Sequence, residues 1–320
     1  MKAVVYGGAG GNEVVRLEQR RDPEPGPEDV VVAARFAGLN PADLLQRAGK
    51  YPAPPGSPTD VPGLEVAGTV LACGERVSAW HPGDRVFGLV GGGGLSDRVL
   101  VHERCLARVP ERLTEEEAAA APEAFITAHD AIRTQAGLQM GEHLLVHGAA
   151  GGVGSAAVQI GVTAGACVTA VVRSDSAAAA VGELGARVVP EESFPAGVRE
   201  PVDVVLELVG AAHFPGNLEV LARLGRIVIV SVAGGTDLSL SLATLMQKRA
   251  SLRGTVLRSR PLEEKGAAVR AFEREVVPGL SAGSMRPLVD SIYPAERFAD
   301  AFDRLEGRGK LGKVLLEFDA

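Results

Sequence analysis

The chain has 320 residues, a formal net charge of −7 at pH 7, 46% hydrophobic residues and 23% charged residues. That length allows two domains with separate cores, and the composition is ordinary for a globular protein. The negative charge without a basic block argues against nucleic acid or an anionic membrane as a partner. No apolar run approaches the about 20 residues that a membrane span needs.

The spacing of the cysteines and the N-terminal segment indicate in which cellular compartment the protein resides. The three cysteines, Cys73, Cys105 and Cys167, are odd in number and widely spaced, which favours a reducing cytoplasm over a disulfide framework. The segment Met1–Tyr6 lacks the apolar core of a signal peptide and is typical of a first strand. We therefore expect a cytoplasmic protein that acts on a small molecule.

Residues 1–122 have the pattern of short strands separated by turns. Apolar runs at Ala3–Tyr6, Val30–Ala34, Val66–Leu71 and Arg98–Val101 alternate with segments rich in proline and glycine. This pattern predicts a compact, β-rich, barrel-like domain.

The pattern changes at Thr114, which forms a predicted capping box with Glu117. A helix is predicted over residues 123–136. Strands and helices then alternate, which predicts a parallel sheet in an α/β fold. The predicted strands are 143–147, 168–172, 202–209, 226–230 and 251–256, and the predicted helices between them include 177–184 and 217–224. The short polar segment 191–200 predicts an abbreviated crossover.

The C-terminal segment returns to the first pattern. We predict a strand at 286–293, a helix starting at Pro294 and a final strand at 313–318. The chain would then form a discontinuous β-rich domain from residues 1–122 and 261–320. An α/β domain from residues 123–260 would be inserted in it.

A glycine-rich turn between the strand His143–His147 and the following helix predicts a dinucleotide site. Gly151 and Gly152 would let the backbone approach a pyrophosphate, and Gly154 would let the helix pack tightly on the strand. The helix N-terminus would present N–H groups and a positive dipole end to the phosphates. Ala149 stands where the usual pattern has its first glycine.

The end of the second predicted strand indicates which dinucleotide binds. NAD sites have an acidic side chain there, but this chain has Val172 followed by Arg173 and Ser174. An arginine beside a hydroxyl suits the 2′-phosphate of NADPH. Asp175 is a competing candidate beyond the strand end, and the alternative for Arg173 is a solvated loop residue.

Several longer strings resemble the zinc-free quinone oxidoreductase branch of the medium-chain dehydrogenase/reductase superfamily, over nearly the whole chain. These strings are Ala37–Asp43, Pro62–Gly68, Ala149–Gly154 and Leu311–Val314. Three more, Asp43–Gly56, Pro122–Ala128 and Leu257–Arg260, are similar to the p53-inducible quinone oxidoreductase subgroup. The resemblance implies a GroES-like catalytic domain and a Rossmann domain with a doubly wound parallel sheet. It also implies a homodimer paired through the edge strand near residues 251–256.

The resemblance implies that no metal takes part. Zinc-dependent relatives hold the catalytic metal with two cysteines and a histidine, and the aligned positions here are Asn40, Leu64 and Glu123. Leucine offers no ligand atom, and an amide with one carboxylate is a poor tetrahedral site. The histidines are scattered without ligand spacing, so none is assigned to a metal: they are His81, His102, His129, His143, His147 and His213.

The same resemblance places Asn40 and Tyr51 near the nicotinamide and the acceptor. The implied reaction is direct hydride transfer from nicotinamide C4 to a quinone. Asn40 would hydrogen-bond a ribose hydroxyl or a quinone oxygen, and Tyr51 would stack on the ring or donate a proton. The alternatives are a turn former before Pro41 and an aromatic side chain covering apolar surface.

The remaining cofactor contacts come from strand ends and from the matched strings. The chain lacks one residue that the resemblance leads us to expect. Many relatives have a tyrosine that stacks on the adenine, and this chain has Pro190–Glu191 at that position. The predicted cofactor-binding residues are Thr127, Gly151, Gly152, Val153, Gly154, Arg173, Ser174, Val209, Gly210, Val232, Leu257, Ser259 and Lys313. A solvated surface charge is the alternative for Lys313.

Two alternative functions remain open from the sequence. One is a 2-alkenal or enoyl reductase, and the other is a non-catalytic NADPH-binding protein.

Overall fold

The computed structural model describes residues 1–319 of the chain. They form two compact units. The first unit is Met1–Ile126 together with the chain from Leu257 onward, and the second unit is Thr127–Val256. The sequence prediction placed the two boundaries after residues 122 and 260.

The strands of the described residues, in chain order, are β1 Lys2–Tyr6, β2 Val15–Gln19, β3 Asp29–Ala33, β4 Phe36–Gly38, β5 Glu65–Cys73, β6 Arg85–Leu89, β7 Arg98–His102, β8 Leu106–Arg108, β9 His143–Val146, β10 Cys167–Val172, β11 Arg187–Pro190, β12 Val202–Glu207, β13 Leu221–Ile229, β14 Ser251–Gly254, β15 Val289–Pro294 and β16 Lys313–Glu317. The α-helices are α1 Pro41–Arg47, α2 Glu115–Ala119, α3 Pro122–His129, α4 Gly152–Thr163, α5 Asp175–Gly182, α6 Phe214–Val220, α7 Leu242–Lys248, α8 Leu262–Glu275, α9 Val277–Ala282 and α10 Phe298–Glu306. Within the described residues no helix is long and apolar enough to cross a bilayer.

The first unit is built on antiparallel strands. Its largest sheet has the order β7-β3-β5-β6-β8, and β1-β2 form a separate ribbon. The third sheet, β15-β16-β4, joins the C-terminal strands to the early strand β4, pairing Leu316 with Ala37. This pairing closes the discontinuous domain that the sequence predicts. Alternating apolar residues of β3, β5 and β7 bury one face of the five-stranded sheet in a core that includes Val32, Val70 and Val99.

The second unit is a six-stranded sheet with the order β11-β10-β9-β12-β13-β14. The registered pairs are all parallel, with Leu144 of β9 lying between Val168 of β10 and Val204 of β12. This is the strand order of a doubly wound dinucleotide-binding fold. The short apolar runs are buried because parallel strands are covered on both faces. The α/β fold class predicted from the sequence is confirmed.

Two local predictions change in the structure, and a third is confirmed. The predicted helix over 123–136 ends as an α-helix at His129 and continues as a π-helix over Asp130–Gln135, where the Ala136 N–H bonds the Ala131 carbonyl. The predicted helix over 217–224 is instead α6, because Leu221 leaves the helix to pack in the core of the sheet. The crossover between β11 and β12 is abbreviated as predicted, with a single 3₁₀ turn over Glu191–Ser193.

Candidate active site

The glycine turn between β9 and α4 has the geometry of an anion site. Gly148 adopts a positive φ of 60°, and α4 begins at Gly152 with Gly151 before it. No side chain caps this helix, and no acidic residue lies in its first turn. The first N–H groups of a helix have no partner within the helix. The uncapped start of α4 is therefore suited to bind phosphate.

The glycines of this turn have different roles. A Cβ on Gly154 would lie 2.3 Å from the Gly148 carbonyl oxygen and 2.7 Å from Ala149 Cα, so only glycine fits where the helix crosses the turn. A Cβ on Gly151 would lie 3.4 Å from the same oxygen, which is ordinary contact. The packing role predicted for Gly154 therefore matches the geometry. The roles of Gly151, Gly152 and Val153 at a pyrophosphate stay predictions.

The end of β10 carries the residues predicted to select NADPH. Val172 is buried, and Arg173 is exposed. The Ser174 hydroxyl caps α5 by accepting from the Ala177 N–H at 3.3 Å, so part of its hydrogen-bonding capacity serves the helix. Asp175 is exposed as the first residue of α5. The guanidinium of Arg173 remains the cationic group at this strand end.

The turn after β12 is organised by a buried carboxylate that the sequence analysis missed. Glu207 Oε1 accepts from the N–H groups of Val209 at 2.7 Å and Gly210 at 2.9 Å, while Oε2 accepts from Asn217 Nδ2 at 2.7 Å. The Val209 carbonyl in turn accepts from the Gly234 N–H. These bonds use the N–H hydrogens of Val209 and Gly210 within the protein, and contact of the two residues with a cofactor stays a prediction. The only sequence signal for Glu207 is an acidic residue in an apolar strand.

Two histidines predicted to be scattered lie against each other in the second unit. The rings of His147 and His213 stack with centroids 4.2 Å apart and planes 21° apart. With Glu207 they bring three candidate metal-ligating groups together. The lone pairs of ring nitrogens lie in the ring planes, and two nearly parallel planes do not direct them at one point. As arranged, this cluster does not fit a metal ion.

The cluster instead fits a buried ion pair. His213 Nε2 lies 2.9 Å from Glu191 Oε1, and its Nδ1 lies 3.8 Å from Glu207 Oε1. The Glu207 carboxylate, with Glu191, raises the pKa of His213, whereas burial lowers the pKa of His147. The cation therefore belongs on His213, between two carboxylates. Glu191, which directly follows β11, holds His213.

Replacing His213 by glutamine is expected to lower the free energy of unfolding by about 1–2 kcal/mol at about pH 6, since hydrogen bonds to charged groups contribute about that much. The pKa of His213 is higher in the folded state than in the unfolded state. Its contribution to stability is therefore fully present below the unfolded-state pKa of about 6.5, and it is lost as the pH rises through the folded-state pKa. The difference between wild type and variant should therefore shrink as the pH is raised above about 6.5 in chemical unfolding experiments. The exposed His81→Gln variant is the control, and a pH-independent difference would contradict the ion pair.

The first unit holds a second buried cluster, formed by Asn40, Glu65 and Lys313. The Lys313 ammonium donates to Glu65 Oε1 at 2.6 Å, to the Leu39 carbonyl at 2.8 Å and to Asn40 Oδ1. Asn40 Nδ2 donates to Glu65 Oε1 at 3.0 Å and to the Gly38 carbonyl at 3.3 Å. All three side chains are buried. A closed network therefore fixes the Asn40 amide.

This network accounts for the polar hydrogens of Lys313 and Asn40. An ammonium has three hydrogens, and those of Lys313 are all used within the protein. Lys313 is therefore not a solvated charge, and its contact with a cofactor stays a prediction. The two amide hydrogens of Asn40 are also used within the protein, and its contact with a ribose hydroxyl or a quinone oxygen stays a prediction.

Asp43 ties this cluster to the rest of the first unit. Its carboxylate accepts from the Asn40 N–H at 2.8 Å and from the Gly63 N–H at 3.1 Å. Burial raises the pKa of Asp43 to about 6. Asp43 thus fixes the start of α1 against the segment that leads into Glu65.

Tyr51 is held by a buried arginine. The Arg258 guanidinium lies 5.1 Å from the centre of the Tyr51 ring and donates to the Tyr51 carbonyl at 3.2 Å. It also donates to Gln46 Oε1 at 2.6 Å and to the Gly91 carbonyl at 2.8 Å. Burial raises the pKa of the Tyr51 phenol. Arg258 stood in a matched string but was not predicted as a site residue.

The remaining residues predicted to contact the cofactor differ in burial and lie in both units. Thr127 is buried in α3, at the start of the second unit, and Val232 is about half exposed after β13. In the first unit Leu257 is buried and Ser259 is exposed. Contact of these four residues with a cofactor stays a prediction.

The positions aligned with the zinc ligands do not fit a zinc ion. The Leu64 side chain is buried and has no donor atom, and the Asn40 amide is committed to the buried network. The remaining position, Glu123, gives its backbone N–H to Glu65 Oε2 at 2.9 Å. A tetrahedral metal needs more ligands than these residues supply.

Comparison with known proteins supports the fold and the family. Residues 26–111 match the alcohol dehydrogenase GroES-like domain, and residues 152–274 match the zinc-binding dehydrogenase family. The quinone oxidoreductase of Lama guanicoe is 33% identical over 99% of this chain and 97% of its own length.

Two solved structures are similar in fold. An Escherichia coli quinone oxidoreductase complexed with NADPH has a TM-score of 0.86 and 25% identity, covering 99% of this chain and 100% of that one. The CurK enoyl reductase has a TM-score of 0.86 and 27% identity, covering 99% of each chain. The finer resemblance to the p53-inducible subgroup stays a prediction. The chain is an oxidoreductase of the medium-chain dehydrogenase/reductase superfamily and belongs to its quinone oxidoreductase family.

Proposed function

We propose that the protein is an NADPH-dependent quinone oxidoreductase that transfers hydride directly from nicotinamide C4 to a quinone without zinc. The observation that carries this proposal is the Asn40–Glu65–Lys313 network, which fills the position where zinc relatives begin their ligand set. Without a Lewis acid, an acceptor that takes hydride readily is required. Quinones and activated alkenes meet that requirement better than simple ketones.

The residues of the second unit fit a nicotinamide dinucleotide, as in the Escherichia coli relative. The uncapped N–H groups at the start of α4 would hold the pyrophosphate. Arg173, with the hydroxyl of Ser174, would bind the 2′-phosphate through charge-assisted hydrogen bonds. The bound cofactor supplies the hydride.

The residues of the first unit would position the acceptor and complete the reaction. Two-electron reduction of a quinone forms a new C–H or O–H bond and leaves an oxyanion that needs a proton. The raised pKa keeps the Tyr51 phenol protonated near neutral pH, so it is available as a hydrogen-bond donor to that oxygen. Arg258 fixes the loop that carries Tyr51. Asn40 would orient the cofactor ribose.

A second candidate function is reduction of a 2-alkenal or an enoyl thioester, which the similarity to CurK enoyl reductase supports. A non-catalytic NADPH-binding protein is the third. All three are separated by following NADPH oxidation with 9,10-phenanthrenequinone, an enone and an enoyl thioester. We expect turnover of the quinone. Turnover of the enone or thioester alone would replace the proposal with the second candidate, and tight NADPH binding without turnover would support the third.

The Arg173→Ala variant is expected to raise the KM for NADPH about 10- to 100-fold and to leave the KM for NADH within about twofold, because charge-assisted bonds to a phosphate contribute about 1.5–3 kcal/mol. The control is Arg199→Ala, which removes an exposed arginine elsewhere in the second unit. Steady-state kinetics with both cofactors provide the measurement. Equal effects on NADPH and NADH would refute the phosphate role.

A further inference from the structure

A large cavity lies within the first unit, apart from the residues to which the proposed function assigns a role. Its volume is about 780 Å³. Three segments form much of its wall: the loop that follows Tyr51, with Pro55–Pro58; the glycine loop Gly91–Gly93; and the start of α8, with Arg260–Leu262 and Lys265.

The charged residues of this wall are mostly basic. In a chain with a net charge of −7, the wall holds the side chains of Arg20, Arg21, Arg98, Arg260 and Lys265. Each of the four arginines already contacts a carboxylate: Arg20 lies 3.0 Å from Asp60, and Arg21, Arg98 and Arg260 contact Glu24, Asp97 and Glu264. Lys265 therefore differs from the other cations of the wall.

The Lys265 ammonium is the group in this wall that most clearly lacks a partner. Its side chain is partly buried, and among residues 1–319 the structure gives its ammonium no hydrogen-bond or ion-pair partner. Burial accordingly lowers the pKa of Lys265. By contrast, Lys2 and Lys313 both contact carboxylates. A partly desolvated cation without a partner costs free energy that a bound anion would recover.

The cavity adjoins the residues predicted to meet the acceptor. Arg258 packs on the Tyr51 ring and donates to the carbonyl of Gly91, which lines the cavity. The charges of Arg258 and Glu123 also act on Lys265. An acceptor ring at Tyr51 therefore has the basic cavity beside it.

We propose that the cavity binds an anionic group, a carboxylate or a phosphate, carried by the electron acceptor, with Lys265 as its principal contact. The substrate class then narrows to acceptors whose reducible ring bears a negative substituent. This inference rests on the proposed function, because the ring must lie at Tyr51 to be reduced.

The test compares two acceptors that differ by one charge, 9,10-phenanthrenequinone and its 2-carboxylate. We expect the Lys265→Gln variant to raise the KM for the carboxylate about tenfold, the loss of one charge-assisted contact, and to leave the neutral quinone within about twofold. Lys265→Arg should recover much of the affinity. Arg274→Gln removes an exposed charge from the same helix and serves as the control. Equal effects on both acceptors, or no effect on either, would overturn the proposal.

A binding experiment separates this inference from the proposed function. Phenanthrene-2-carboxylate is not reducible by hydride, and its Kd is measured by calorimetry on wild type and on the Lys265 variants. Binding that weakens in Lys265→Gln supports the anion site even if no quinone is turned over. Inorganic phosphate provides the second arm. If phosphate binds through Lys265 but phenanthrene-2-carboxylate does not, the site takes a free anion and the acceptor assignment is wrong.

Discussion

Replacing Glu65 by leucine is expected to lower the free energy of unfolding of the first unit by about 3–5 kcal/mol, because it leaves a buried ammonium without its counter-charge. The Lys313 Nζ lies 2.6 Å from Glu65 Oε1, and their side chains are only 5% and 1% exposed. The chain has a single tryptophan, Trp80, which is buried in the first unit. Its fluorescence therefore reports unfolding of this unit in guanidinium chloride.

The companion variant Lys313→Met should restore much of the loss when combined with Glu65→Leu. Removing both charges removes the desolvation cost, and replacing a buried pair by apolar residues is often nearly neutral. A double-mutant cycle measures this coupling. The control is Glu296→Leu, which breaks an exposed pair with Lys2 and should change stability by less than about 1 kcal/mol. If Glu65→Leu costs no more than Glu296→Leu, the pair is not buried as the structure has it.

The double variant also tests the role of the network in catalysis. It removes both side chains that bond the Asn40 amide, while keeping the fold. We therefore expect kcat to fall even where stability is recovered. An unchanged kcat would limit the network to a structural role.

Sequence patterns predicted the fold because the features that set it are local. The glycine turn at Gly148–Gly154 and the alternation of apolar runs with helices lie within short windows, and they define the parallel sheet. The capping box of Thr114 with Glu117 is likewise local, and the structure has it. By contrast, the predicted helix over 217–224 fails at Leu221, which begins β13 and packs in the core of the sheet. That packing depends on residues distant in the chain, so no local pattern shows it.

The candidate site was less predictable, because its contacts join residues far apart in the chain. Lys313 and Glu65 are 248 residues apart, so their ion pair has no spacing signal. His147 and His213 are separated by several elements and meet only where neighbouring strands end. Single residues such as Asn40 and Tyr51 came from a resemblance to a family, and their hydrogen-bond partners came only from the structure.

Replacing Gly154 by alanine is expected to destabilise the second unit by about 1–3 kcal/mol, the usual cost of forcing extra atoms into a packed interior. The new Cβ would lie 2.3 Å from the Gly148 carbonyl oxygen and 2.7 Å from Ala149 Cα, and both are backbone atoms that cannot rotate away. The turn must shift, and the N–H groups at the start of α4 move with it. NADPH should then bind at least about tenfold more weakly, since positioned N–H groups hold the phosphates.

The matched control is Gly151→Ala in the same turn. Its Cβ would meet the Gly148 oxygen at 3.4 Å, so the second unit should keep its stability within about 0.5 kcal/mol. If Gly151 lies against the pyrophosphate as predicted, this variant should still bind NADPH more weakly. Calorimetry measures both thermal stability and NADPH affinity. Loss of stability in Gly154→Ala with loss of affinity alone in Gly151→Ala would separate helix packing from phosphate contact. Wild-type stability and affinity in Gly154→Ala would contradict the close crossing of α4 over the turn.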